Sequence, residues 1–115
     1  MIDFDNLELK HMGMEVPGHT RETIANYLIR GWAPGGFVES MIARDYDRAL
    51  YCADTANRQR FWAIAMWLNE CMPAESRGSY QAIEMWRDDL GGRRSAYVKE
   101  VEKQEIWKRL QKVPA

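Results

Sequence analysis

From residue 20 onward, apolar positions recur three and four residues apart, the spacing that stacks side chains on one face of an α-helix. Ile24, Tyr27 and Leu28 make the first such stripe, with Thr20 as the expected N-cap and Gly31 as a left-handed residue closing the helix. Pro34-Gly35-Gly36-Phe37 opens a short second helix to about residue 44, with Phe37, Val38, Met41 and Ile42 on its apolar side. Asp45 is placed to cap a third segment carrying Ala49, Leu50 and Ala53, and Asp54 to cap a fourth from residue 55 to about 71. The pattern over 45–71 fits either one kinked helix or two. Met72-Pro73 stops it, and Ser79 caps the next helix, whose buried stripe is Ile83, Trp86 and Leu90 and whose end is Gly91-Gly92. A last helix runs from Ser95 to about residue 113, with Val98, Val101, Ile106, Leu110 and Val113 as a loose apolar side.

Residues 1–19 have no such period. Ile2-Asp3-Phe4-Asp5 alternates like a short strand, but Pro17-Gly18 ends the segment before a partner strand is reached. The segment is expected to be an arm that docks its apolar residues on the helical body or on a neighbouring subunit. The predicted architecture is therefore an all-α domain over 20–115, a compact bundle of five to six short helices with an irregular N-terminal arm.

Composition sharpens this picture. At 115 residues and 13.5 kDa one core and no second domain are expected, which argues against a two-domain enzyme. A formal charge of −1 is too balanced for a protein that coats nucleic acid or membrane by bulk electrostatics. That charge is unevenly placed: the arm carries a net −3 and residues 91–115 a net +4. The opposite signs suggest that the arm of one chain lies against the last helix of its own or another subunit. No apolar run is long enough to span a bilayer and no secretory leader is visible, so a cytoplasmic protein with Cys52 and Cys71 as buried, reduced thiols is expected.

Five Trp and seven Met stand out. On the fourth helix Phe61, Ile64, Ala65 and Leu68 share a face, while Trp62 and Met66 lie off it and Trp67 flanks it. A helix apolar nearly all round either sits centrally in its domain or offers a face to a partner. Trp62, Met66, Trp67 and, on the last helix, Trp107 are the interface candidates, with homo-oligomerisation the first expectation.

The residues supply no catalytic constellation. His11 and His19 both fall in the arm, and neither cysteine has a basic residue one helical turn ahead. No metal-ligand spacing, dinucleotide fingerprint or phosphate loop occurs, so a non-enzymatic protein without cofactor or metal is expected. Two helix entrances are similar in character. Arg30, Trp32, Gly35 and Gly36 form one, and Arg77, Ser79 and Tyr80 the other. Each offers backbone amides, a guanidinium and a ring, which together could hold a phosphate and stack a base if the fold joins them. The competing account is turn geometry and core filling. DNA binding through Arg93, Arg94 and the Lys-rich last helix is the weaker reading, because Glu100, Glu102 and Glu105 interrupt the basic stripe.

Several of these elements occur together in a known pattern. Arg21 through Tyr27, Gly31, Pro34-Gly35-Gly36-Phe37, Ala53-Asp54 with Asn57-Arg58, Trp67-Leu68-Asn69-Glu70, Pro73, Gly78-Ser79 and Trp86 resemble a family of small bacteriophage and prophage proteins, mostly without assigned function. The resemblance covers roughly 20–88 and departs at Arg77, where the family has a Trp before its Gly-Ser pair. It implies an accessory phage product in a bacterial cytoplasm, of a class that includes inhibitors of host defence acting on nucleotide or protein ligands. The expected function is sequestration or blocking of a host partner, with a small DNA-binding regulator as the alternative.

Overall fold

The computed structural model describes residues 10–11 and 14–112, with side chains over 16–69 and 72–103. It is all-helical as expected, apart from a two-residue antiparallel ladder of β1 (Lys10–His11) and β2 (Met14–Glu15), in which Lys10 faces Glu15 and His11 faces Met14. Seven helices follow: α1 (Gly18–Arg30), α2 (Gly36–Ile42), α3 (Tyr46–Cys52), α4 (Thr55–Gln59), α5 (Phe61–Cys71), α6 (Tyr80–Arg87) and α7 (Arg93–Lys112). Single 3₁₀ turns over Ala74–Ser76 and Leu90–Gly92 flank α6. No helix among the described residues is long and apolar enough to cross a membrane.

The predicted stripes of α1 and α2 are the core. Ile24, Tyr27 and Leu28 meet Val38, Met41 and Ile42, and α5 and α6 add Ile64, Leu68, Ile83 and Trp86, all of them buried. Each such side chain contributes roughly 1.5–3 kcal/mol by leaving water, and the buried Tyr and Trp keep their polar ends paired. Tyr27 Oη donates to the Ser76 carbonyl at 2.7 Å and Trp86 Nε1 to the Leu28 carbonyl at 3.2 Å. Burial pushes the Tyr27 phenol well above its ordinary range. Leu90 departs from its expected place. Because α6 ends at Arg87, Leu90 falls in the following turn, off the helical stripe, and is exposed.

Helix ends follow the polar punctuation with two exceptions. Asp45, Asp54 and Ser79 accept from the amides of Arg48, Asn57 and Ala82 at 3.5, 2.8 and 3.0 Å. Gly31 ends α1 at φ 70°. Thr20, expected as the N-cap of α1, lies inside it instead. The helix starts two residues earlier because the Pro17 carbonyl accepts from Arg21 at 2.9 Å, and the buried Thr20 hydroxyl donates to Asn57 Oδ1 at 2.5 Å. The last helix starts at Arg93, two residues before the expected Ser95. Asp89, at φ 54°, accepts from the Ser95 amide at 3.0 Å and from its hydroxyl, and these bonds hold the Asp89 carboxyl below its ordinary range.

The segment 45–71 is three helices rather than one or two. Extended backbone at Ala53 and Asp54 separates α3 from α4, and Arg60 at φ −112° bends the chain into α5. The arm lies mostly outside the described residues, as does its proposed contact with the last helix. Its end is helical, since Gly18 and His19 belong to the first turn of α1.

Candidate functional site

With three short helices in place of one or two, α3 lies at the surface. Of its seven residues only Ala49 is buried. Tyr46 and Leu50, one turn apart on the same face, are exposed, and Tyr51 is 86% exposed. Cys52, expected as a buried thiol, is exposed at the end of the same helix, beside Gly36 of α2. Cys71 lies in the part of α5 whose side chains are outside the described residues.

The start of α5 continues this surface. Phe61 stands edge-on to Phe37 of the core at 6.5 Å and edge-on to Tyr46 at 6.1 Å, so a ladder of rings leads from the interior to α3. Trp62, next to Phe61, is 68% exposed. The Tyr46–Phe61 contact thus joins α3 to the start of α5, and Leu50, Tyr51 and Trp62 are exposed on the same two elements. Sequence reading found Trp62 by its place off the helical stripe. It missed Tyr46, Leu50 and Tyr51, because the depth at which α3 sits has no local signal.

Trp67 corrects the interface set. It is 3% exposed, on a buried arc with Ala63, Ile64 and Leu68, and its Nε1 has no hydrogen-bond partner among the described residues. The buried arc of α5 is rotated from the expected one. Phe61 and Ala65 turn partly outward toward Tyr46, and Ala63 and Trp67 take their place inside. Met66 is half-buried, and Trp107 lies in the part of α7 whose side chains are outside the described residues.

The two helix entrances are joined only in part. Arg30 lies over the exposed Trp32 ring at 5.0 Å. Arg77 turns aside, its Nε donating to the Met72 carbonyl at 3.2 Å, and the Ser79 hydroxyl is occupied as a cap. What connects the entrances is Arg48, which sequence reading did not single out. Its Nη1 donates to Tyr80 Oη at 3.1 Å, and its Nη2 would lie 3.8 Å from a Cβ on Gly36, while Gly35 beside it is open. The Tyr80 hydrogen bond favours the charged guanidinium, and Tyr80 Oη itself donates to Asp45 Oδ2 at 2.7 Å. An acceptor for this cluster is therefore already built in, and it is a carboxylate.

Among the described residues, no group of three or more His, Cys, Asp or Glu side chains is placed to hold a metal ion. His19 Nε2 lies 3.2 Å from Asp54 Oδ2 and 3.5 Å from Asn57 Nδ2, an arrangement invisible while His19 is read as part of an arm. The hydroxyl of that network, Thr20, is buried against Asn57, so the constellation fastens α1 to α4 and presents no nucleophile. Arg94, a named DNA candidate, donates to the carbonyls of Trp86, Ile29 and Arg87 at 3.2, 3.2 and 3.4 Å. Scanned against family models, curated proteins and solved structures, the chain matches none.

Proposed function

We propose that this chain is a non-enzymatic binding protein of phage type that blocks a protein of the host cytoplasm, and that it does so with the aromatic face of α3 and the start of α5. The observation that carries this reading is the exposure of Tyr46, Leu50, Tyr51 and Trp62 on adjoining elements. Tyr and Trp are the side chains that concentrate binding energy in protein interfaces, and Tyr46, Tyr51 and Trp62 are left in water on two elements that touch through Tyr46 and Phe61. The nucleotide mode draws less support, since Ser79 and Tyr80 already have internal partners and Asp45 sets a negative charge on the cluster a phosphate would approach.

A photo-crosslinking amino acid placed at position 51, 62 or 58 tests this in a bacterial cytoplasm. The same host protein is expected from positions 51 and 62 and not from the exposed Arg58. A Tyr51→Ser, Trp62→Ser double variant is expected to lose that product while keeping its helical circular dichroism. Equal backgrounds from all three positions, or a nucleotide released on denaturation and seen by mass spectrometry, would sink the protein-blocking reading. Cross-links only to a second copy would assign the face to a homo-oligomer instead.

A further inference from the structure

We propose that Arg44 and Arg77, with Asn69 between them, form a receptor for an oxyanion of the phosphate class. The site begins with backbone geometry. Arg44 follows the end of α2 at φ 63°, a left-handed conformation uncommon for any residue but glycine, closed by its amide donating to the Met41 carbonyl at 3.1 Å. That conformation takes the chain out of α2 and lets the Arg44 side chain reach α5, where Nη2 donates to Asn69 Oδ1 at 3.1 Å. Arg77 comes from the other side. Its Nε is tied to the Met72 carbonyl, which fixes the plane of the guanidinium, and its Nη1 lies 3.5 Å from the same Asn69 oxygen.

Two guanidiniums therefore converge on one neutral acceptor, and neither pairs with a carboxylate among the described residues. Each has five donors in a rigid fork, so most of their hydrogen-bonding capacity is unused while their charges add. Met41, Ile42 and Leu68 line the notch around them, and Tyr46 stands at its side. The enclosed space takes about one water-sized group, so a phosphate would sit at its open mouth with an oxygen directed between the two guanidiniums, and a nucleobase would not enter. A phosphate fits this chemistry better than a carboxylate, because its charge approaches −2 near neutral pH and it offers an oxygen to each fork. The site stands whether or not the aromatic face binds a protein.

The test is a titration followed on the Arg Nε–Hε signals by NMR at constant ionic strength, with inorganic phosphate, phenyl phosphate and acetate as the probes. Saturable shifts at Arg44 and Arg77 with phosphate are expected, half-complete on the order of 1 mM, with acetate at least roughly tenfold weaker. Phenyl phosphate binding more tightly than phosphate would identify a monoester on a larger molecule as the natural source, and weaker binding a free anion. Arg44→Gln and Arg77→Gln should each weaken phosphate about tenfold or more, and Arg58→Gln should leave it unchanged. Asn69→Asp supplies a carboxylate to both forks, so it should abolish binding while the melting temperature is maintained. Shifts that stay linear, that are matched by acetate, or that survive Asn69→Asp in a folded protein overturn the proposal.

Discussion

Gly31 shows what one backbone angle secures. At φ 70° it ends α1, and an added methyl would lie 2.9 Å from the Arg94 guanidinium carbon and 3.2 Å from the Arg87 carbonyl oxygen. Gly31→Ala is therefore strained twice, in its own backbone and against the guanidinium that holds the helix end. A loss of about 1–3 kcal/mol is expected, read as a melting temperature lower by roughly 4 °C or more. A variant melting within about 1 °C of the parent would contradict this account. The glycine was legible in the sequence because a C-terminal left-handed residue is a local signal. The role of Arg94 was not, since its carbonyl partner on Ile29 lies 65 residues away.

At the scale of elements, the contacts that join helices separate what local pattern could and could not supply. Asp45, Asp54 and Ser79 were recognised as caps because a cap acts within one turn of itself. Thr20 has the right chemistry for a cap and the wrong place, because a buried acceptor on α4, Asn57, competes for its hydroxyl. Removing that acceptor tests the joint. Asn57→Ala leaves the Thr20 hydroxyl buried without a partner and should cost about 1–3 kcal/mol in urea denaturation, whereas adding Thr20→Val should recover part of the loss. Additive losses in the double variant would show that the two side chains are not coupled. The aromatic face belongs to this scale too. Its residues were visible as Tyr, Leu and Trp, but their exposure follows from the bend at Ala53–Asp54, which the Asp54 cap allowed without requiring, and from the one at Arg60, which no proline, glycine or cap announces.

For the whole molecule, an extent of 19 Å along the shortest axis is about two helix diameters, so a helix has few ways to be surrounded. That is why a chain with an ordinary apolar fraction still leaves α3 and Trp62 in water. Tyr27 ties α1 to the turn before α6 through the Ser76 carbonyl. The raised Tyr27 phenol gives this contact a pH signature. Its folded pKa lies above the unfolded value of about 10, so the neutral phenol's contribution is complete below that pH and is lost as pH rises beyond it. Urea midpoints measured from pH 8 to 11 should fall on the alkaline side, and Tyr27→Phe should flatten that fall after an offset of about 1 kcal/mol for the missing hydrogen bond. Parallel profiles would exclude Tyr27 as the group responsible.

The carbonyl end of α1 also sets an order of events during synthesis. Its acceptors at Leu28, Ile29 and Gly31 are met by Trp86, Arg94 and Arg87, which leave the ribosome 56 to 65 residues later. Until those residues emerge, the first helix has no tertiary closure for its last turn. The nascent chain must keep its earliest helix waiting, and native packing arrives late, in a step that draws the end of α1 to α6 and the start of α7.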